Sequence, residues 1–312
     1  MHYVLRKLLR LVLVLLLVAA AAFFLLNLLP GDVAMTLLGN EATPDAIAQV
    51  RAELGLDRPL VLRYLHWLIG FLQGDLGRSY ITQVPVMESI VGRLPVTLEL
   101  ILLSQGFALL LAVPSGVLCA YKAGSRIDGL ISSTALLLFA APVFITAILL
   151  MFLFALKLRW LPSTGYVPLI NDPLGNLAHL ALPAFAIGLS EWPPLFTVLR
   201  ADMIKTLQQD YIALAKAKGL GPAVILLRHA LRPSSITLVT IAGLQIAGTI
   251  AGALVVETIF GLPGIGRLLT GAVYNRDMML VQGCVLVISV GYVLINFGID
   301  LIYVLLDPRV RR

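Results

Sequence analysis

Six long apolar stretches alternate with more polar connections along this chain. They cover residues 8–29, 96–121, 130–156, 177–199, 235–256 and 279–306. About 20 apolar residues, each rising about 1.5 Å, are enough for a helix to cross a hydrocarbon core about 30 Å thick. Every stretch meets that length, so the pattern predicts an all-α integral membrane protein with six transmembrane helices.

The first apolar stretch has two interpretations. Arg6, Lys7 and Arg10 stand at its start, and residues 19–22 are all alanine, a composition that suits a signal-peptide cleavage site. The apolar run nevertheless continues through residues 23–26, which makes it longer than the hydrophobic region of an ordinary signal peptide. We therefore predict an uncleaved transmembrane anchor.

The connection between the first two stretches, residues 30–94, is the largest polar part of the chain. A cap at Thr43 predicts a helix that ends near Gly55, and a second amphipathic pattern follows it. These helices are expected either to lie at the outer membrane interface, with Tyr64 and Trp67 at headgroup depth, or to pack against the membrane bundle. The pattern leaves both alternatives open.

Composition and charge agree with a membrane protein. Hydrophobic residues make up 59% of the chain and charged residues 13%, against roughly half and a quarter in soluble proteins. The net charge of +6 does not indicate nucleic-acid binding, because the basic residues are spread over separate connections. Most of the 23 Lys and Arg fall on one side of the membrane if the N-terminus is cytoplasmic. The positive-inside rule therefore predicts that both termini are cytoplasmic.

The sequence contains no motif for catalysis or metal binding. It lacks the Gly-x-x-x-x-Gly-Lys-Ser/Thr loop that holds nucleotide phosphates, and we expect the glycine-rich residues 261–267 to form a tight outer turn. The four histidines have no metal-ligand spacing, and Cys119 and Cys284 both lie in apolar stretches. We therefore predict that the chain is not an enzyme and has neither a metal site nor a disulfide.

The connection between the fourth and fifth stretches, residues 200–232, is the main candidate functional site. Its first half is rich in Ala, Leu and Lys and favours a helix, Gly219 breaks that helix, and a second helix starts at Pro222. A simple turn between two spans needs no such arrangement. The candidate residues are Asp210, Tyr211, Leu214, Ala215, Lys216, Lys218, Gly219, Arg228 and His229.

A second candidate site lies in the fourth stretch, where Glu191, Trp192 and Pro193 are followed by another proline. We expect the prolines to interrupt the helix and to free backbone carbonyls that can line a polar cavity. An ionisable residue inside a membrane indicates either a translocation path or a buried partner, and both remain open for Glu191. For Glu257 and Asp300 the structural alternative is favoured.

Short motifs spread over almost the whole chain point to one family. They are LPGD at 29–32, ELGLDRPL at 53–60, GDLG at 74–77, RLPVTLEL at 93–100, HLALPA at 179–184, DYIALAKAKGL at 210–220, VETIFGLPGIGR at 256–267 and LDPR at 306–309. In this order they resemble the permease subunits of the dipeptide/oligopeptide/nickel family of bacterial ABC importers. The polar connection resembles their EAA loop, which docks onto ATPase subunits, although residues 213–215 are Ala-Leu-Ala here.

The resemblance implies a type I ABC importer permease fold with an extra outer segment after the first span. It divides the chain into an N-terminal anchor with the outer segment (1–94), a transmembrane domain (95–306) that contains the coupling loop 200–232, and a cytoplasmic tail (307–312). The implied partners are a second homologous permease subunit, two ABC ATPase subunits, an extracytoplasmic solute-binding protein and membrane lipid, without nucleic acid. ATP and Mg are expected to be used by the ATPases, and this chain is expected to bind no cofactor. The resemblance also implies that the chain lies in the bacterial inner membrane.

The implied function is import of di- or oligopeptides by alternating access. The apolar side of Tyr211, Leu214 and Ala215 is expected to enter a groove on an ATPase, with Lys216 and Lys218 facing an acidic rim. Nickel or metal chelates, glutathione-like and opine-like solutes are carried within the same family, so the cargo stays open. Two other classes of protein are alternatives: a membrane-anchored assembly protein and a proton-coupled secondary transporter. Secondary transporters usually have paired halves with matching broken helices, which are not evident in this sequence.

Overall fold

A computed structural model of the protein describes residues 2–28, 33–38, 43–53 and 55–306. These residues form fourteen α-helices and two π-helical segments, which agrees with the predicted all-α fold class. The helices are α1 His2–Leu28, α2 Val33–Leu38, α3 Pro44–Glu53, α4 Leu60–Leu72, α5 Val86–Val91, α6 Leu94–Tyr121, α7 Arg126–Ala140, α8 Val143–Leu150, α9 Pro173–Leu207, α10 Asp210–Ala217, α11 Pro222–Val224, α12 Leu231–Phe260, α13 Ile265–Tyr274 and α14 Met278–Leu306. The π-helical segments are Met151–Lys157 and Ile225–Ala230. The LPGD motif and the predicted tail 307–312 lie outside the described residues.

Four of the predicted transmembrane helices are long and apolar enough, within the described ranges, to cross a membrane. They cover Val86–Tyr121, Pro173–Leu207, Pro222–Phe260 and Met278–Ile299. α1 runs for 27 residues through the first predicted span, and its described apolar part is Leu11–Phe24. The count of six spans stays a prediction.

The third predicted span is not one straight helix. α7 on one side, and α8 with its π-helical continuation on the other, meet at an angle of 105°. Ala141 between them has extended backbone (φ −81°, ψ 124°). A residue before proline is disfavoured in the helical region, and Pro142 has no N–H to donate. The prediction of a single helix over residues 130–156 is therefore wrong at this bend.

The fourth predicted span is a continuous helix, although the sequence predicted an interruption. α9 continues for 35 residues and contains three internal prolines, so the predicted interruption at residues 190–194 is wrong. Thr197 Oγ1 donates to the Pro193 carbonyl at 2.8 Å. Gln245 Nε2, from α12, donates to the Glu191 carbonyl at 3.1 Å. The carbonyls that Pro193 and Pro194 leave without an intrahelical donor are those of residues 189 and 190, so these two bonds lie beside the missing ones and do not replace them.

The described residues of the ranges 1–96 and 263–293 form one compact unit. Within it α4 packs on α1, and the ring centroid of Phe23 lies 5.4 Å from that of Tyr64 and 5.8 Å from that of Trp67. Trp67 is buried. Tyr64 and Trp67 therefore pack against α1, as the second alternative predicted, and the position of α4 relative to the membrane interface stays a prediction.

The described residues of the ranges 97–262 and 294–312 form the second compact unit, and α9 is its central element. α9 packs against α7, α8 and α12. α6 approaches α9 so closely at Gly188 that a Cβ there would lie 2.9 Å from the Ser104 carbonyl oxygen. Glycine is therefore required at this contact. The largest fully buried side chains of α9 are Leu180, Leu195, Phe196, Leu199 and Met203.

Two local predictions from turn residues are met by the structure. The Ala46 N–H donates to Thr43 Oγ1 at 3.3 Å and caps α3, and Gly55 follows the helix in the left-handed region at φ +64°. Gly261 ends α12 at φ +65° and begins the predicted outer turn. That turn is shorter than predicted because α13 begins within it, at Ile265.

Candidate functional site in the loop between α9 and α12

The predicted helix, hinge and second helix are all present between α9 and α12. α10 begins after Gln209, with Asp210 in its first turn and Lys216 in its last. Each of these side-chain charges is opposite in sign to the partial charge at its end of the helix, which stabilises α10. Beyond the hinge, α11 continues through a π-helical segment into α12 without a break. π-helical turns are rare and concentrate at functional sites, so we include this junction in the candidate site.

Gly219 ends α10 in the left-handed backbone conformation, at φ +77°. Its N–H donates to the Lys216 carbonyl at 2.9 Å, and the Leu220 N–H donates to the Ala215 carbonyl at 3.3 Å. The two bonds form a Schellman motif, whose left-handed position favours glycine. A Cβ on Gly219 would meet no atom within 4 Å, so backbone conformation, and not space, requires glycine here.

α10 has one face against its own loop and another exposed. Ile212 and Ala215 are buried together with Ile225, beyond the hinge. Tyr211 is 46% exposed and Leu214 is 57% exposed. Because Ala215 already packs inside the loop, the predicted apolar side of α10 is reduced to Tyr211 and Leu214.

The remaining candidate residues are mostly exposed. Asp210, Lys216, Lys218 and Arg228 are exposed, and His229 is half-buried. Exposed apolar side chains bordered by charge are typical of a protein interaction site. The docking surface is defined here as the exposed side chains of this loop, namely Tyr211, Leu214, Lys216, Lys218, Leu220, Val224, Leu227 and Arg228.

An ion pair that the sequence did not reveal lies just before this loop. Arg200 on α9 donates from Nε to Asp128 Oδ1 and from Nη2 to Asp128 Oδ2, both at 2.6 Å. Asp128, in the first turn of α7, is buried and also accepts the Gly124 N–H at 2.9 Å. Ser125 Oγ accepts the Asp128 N–H at 3.3 Å, in the spacing of a capping box. That spacing indicates a helix that starts after Ser125 and gives no sign of a partner for Asp128 on α9.

Glu191 lies between α9 and α12 and is 8% exposed. Thr249 Oγ1 donates a hydrogen bond to Glu191 Oε1. Within the described residues, Glu191 Oε2 and Gln245 Oε1 are buried and have no hydrogen-bond partner. Trp192 and Pro193 are also buried. Glu191 thus has the buried partner that one alternative predicted, and one of its oxygens stays unpaired.

Glu257, another ionisable candidate, has a structural contact. Thr97 Oγ1 donates to Glu257 Oε1 at 2.6 Å. The side chain of Asp300 lies outside the described residues. Cys119 and Cys284 are buried free thiols. In the part of the chain that the structure describes, no three His, Cys, Asp or Glu side chains are grouped so that they could hold a metal ion.

Comparison with known proteins gives matches along the whole chain. Residues 112–312 match the family model for the inner membrane component of binding-protein-dependent transport systems, and residues 1–101 match the model for the N-terminal part of such components. A Brucella abortus protein named for a peptide transport system permease is 40% identical over 308 residues, which cover 99% of this chain and 98% of the relative. The dipeptide transport system permease protein DppB of Escherichia coli is 35% identical over 335 residues, covering 100% of this chain and 99% of the relative.

The fold has a counterpart among solved structures. A crystal structure of an amino acid ABC transporter with histidines matches 71% of this chain and 94% of its own chain, with a TM-score of 0.50 and 15% sequence identity. At that identity the likeness concerns the fold alone. The family models and the full-length relatives carry the assignment: this chain belongs to the family of inner membrane components of binding-protein-dependent transport systems, and is a multi-pass ABC importer permease.

Proposed function

We propose that this chain is the pore-forming subunit of an importer that carries di- or oligopeptides across the bacterial inner membrane. The observation that carries the proposal is the loop between α9 and α12, where exposed Tyr211 and Leu214 stand on a short capped helix. The relatives are named for peptide and dipeptide transport systems. Those names favour peptides over nickel or metal chelates, glutathione-like and opine-like solutes.

The proposed cycle is alternating access driven by two partner ATPase subunits, which bind ATP and Mg while this chain binds no cofactor. A second homologous permease completes the pore, and an extracytoplasmic solute-binding protein delivers the cargo. α10 enters a groove on an ATPase by its exposed apolar face, with Tyr211 and Leu214 as anchors and Lys216 and Lys218 against an acidic rim. Because α9 and α12 flank the loop, a movement of α10 reaches both of these membrane helices.

Reconstitution of the purified complex tests this function. The chain is expected to co-purify with two ATPases and a second permease, and liposomes that contain the complex are expected to take up a labelled dipeptide only with ATP and the binding protein. Uptake driven by a proton gradient without ATP would instead indicate a secondary transporter. Co-purification with unrelated proteins, without uptake, would indicate an assembly protein.

We also propose that both termini are cytoplasmic, and cysteine labelling tests this orientation. Val50→Cys and Lys216→Cys are each placed in a variant whose native Cys119 and Cys284 are replaced by alanine. A membrane-impermeant thiol reagent is expected to label position 216 only from the cytoplasmic side and position 50 only from the outer side. Labelling of either position from the opposite side alone would contradict the orientation.

The translocation path is proposed to include Glu191, with Trp192 and Pro193 beside it. The unpaired Glu191 Oε2 supports this, because a buried acceptor without a donor is costly and a passing solute or water can supply the donor. Glu191→Gln keeps the shape and the acceptor for Thr249 but removes the carboxylate. We expect uptake to fall several-fold at unchanged expression.

A matched variant separates this role from a general effect of losing a buried carboxylate. Glu257→Gln changes another buried carboxylate of the same unit, which accepts a hydrogen bond from Thr97. Uptake per assembled complex should change less in that variant than in Glu191→Gln. Unchanged uptake and unchanged cargo preference in Glu191→Gln would leave Glu191 with a structural role only.

A further inference from the structure

α4 presents three different faces. At about 3.6 residues per turn, its residues separate by angle into a ring-bearing side, an aliphatic side and a polar side. The ring-bearing side has Tyr64, Trp67 and Phe71; the aliphatic side has Val61, Leu65, Ile69 and Leu72; the polar side has Arg63, His66 and Gly70. An ordinary surface helix has two faces, one toward the core and one toward water. The third face needs its own explanation.

The ring-bearing side is the face that packs against the rest of the unit. Tyr64 lies 5.4 Å from Phe23 and 5.4 Å from Phe24 between ring centroids, and both phenylalanines belong to α1. Trp67 is 7% exposed. This face is therefore already occupied, at the C-terminal end of α1.

The aliphatic side is exposed along the whole helix except at its edge next to the rings, where Leu68 is half-buried. Val61 is 61% exposed, Leu65 46%, Ile69 54% and Leu72 74%. Their spacing of four, four and three residues keeps them in one line along the helix. A continuous apolar line of this kind on a membrane protein indicates a covering apolar phase and not bulk water.

Lipid fits this line by helix length and by continuity with α1. α4 has 13 residues, which extend about 20 Å and are too few to cross a hydrocarbon core of about 30 Å. It can therefore lie along the membrane but not span it. α1, on which it packs, exposes its own aliphatic side chains at Val12, Leu13, Leu16 and Leu17, as expected of a lipid-facing span.

We propose that α4 lies along the membrane surface at the C-terminal end of α1, with Val61, Leu65, Ile69 and Leu72 inserted among lipid acyl chains. The three faces then meet three surroundings: the rings contact α1, the aliphatic line contacts lipid, and Arg63 with His66 faces headgroups and water. Tyr64 and Trp67, the aromatic residues usual at such interfaces, are packed on α1 instead. The aliphatic side chains hold the helix in the lipid.

Spin-label accessibility in liposomes tests the proposal. Leu65→Cys, Ile69→Cys and the control His66→Cys are labelled one at a time in the full chain, with Cys119 and Cys284 replaced by alanine. The liposomes contain phosphatidylethanolamine and phosphatidylglycerol. Labels at 65 and 69 are expected to collide with dissolved oxygen and to be protected from a water-soluble nickel chelate, and the label at 66 is expected to show the reverse.

Two results would overturn the proposal. Nickel access at 65 and 69 would place the line in water, and protection from both reagents would mean that protein covers it. A second, independent comparison uses Ile69→Lys against His66→Lys in the same liposomes. We expect only Ile69→Lys to lower the thermal denaturation midpoint, and equal midpoints for the two variants would also contradict lipid contact.

Discussion

Gly219→Val is expected to abolish the ATP hydrolysis that depends on solute-loaded binding protein, while the permease still inserts and pairs with its second permease. Gly219 has φ +77°, and a β-branched residue in this left-handed region costs about 1–2 kcal/mol. The strain falls on the Schellman bond pair that ends α10, so it displaces Tyr211 and Leu214 relative to the rest of the loop. The measurement is ATPase activity of the reconstituted complex with and without loaded binding protein.

Gly74→Val provides a matched control for backbone strain alone. Gly74 also has a left-handed conformation, φ +82°, and a Cβ there would likewise meet no atom within 4 Å. It lies in the predicted outer segment and is not part of the docking surface. ATPase stimulation should survive in Gly74→Val. Equal losses in the two variants would mean that general strain, and not docking, explains the effect of Gly219→Val.

Asp128→Asn is expected to destabilise the permease more than any surface substitution. The change removes the charge that pairs with Arg200 and leaves the guanidinium with a weaker acceptor next to a buried amide. Breaking a buried ion pair costs about 3–5 kcal/mol, and we expect about 2–3 kcal/mol here because the Arg200 side chain is 30% exposed. The thermal denaturation midpoint of the purified complex measures the change.

Two further variants identify the cause of that loss. Asp202→Asn removes a carboxylate from the same helix, at a position for which no ion pair is seen in the described residues, and should leave the midpoint almost unchanged. Arg200→Lys keeps the positive charge but loses the two-bond geometry, so its denaturation midpoint should lie between those of Asp128→Asn and Asp202→Asn. If Asp128→Asn and Asp202→Asn give the same midpoint, the ion pair does not stabilise the permease.

The elements predicted correctly from the sequence depend on local or one-dimensional signals. A membrane requires long apolar runs, so most of the spans could be found from hydrophobicity alone. Gly219 and Pro222 act on the backbone at their own positions, so the helix, the hinge and the second helix were also predictable. For the same reason the Thr43 cap correctly predicted the start of α3.

The errors occurred where tertiary contacts or competing signals decide the outcome. At Pro142 the continuous apolar run concealed a bend that the proline imposes. At Pro193 the opposite happened, because α9 packs against α7, α8 and α12 and continues through its prolines. The partner of Asp128 lies 72 residues away, and no spacing rule reaches that far. The burial of Ala215 likewise depends on Ile225 beyond the hinge.

The most direct test of the central claim is a photo-crosslink from the docking surface. A photoreactive amino acid replaces Leu214, which is 57% exposed, and as a control it replaces Gln49 of the predicted outer segment. Light is expected to join the permease to an ATPase subunit from position 214 and not from position 49, with a yield that changes when ATP is added. A complex that transports solute but gives no ATPase crosslink from position 214 would contradict the assignment of this loop as the coupling element.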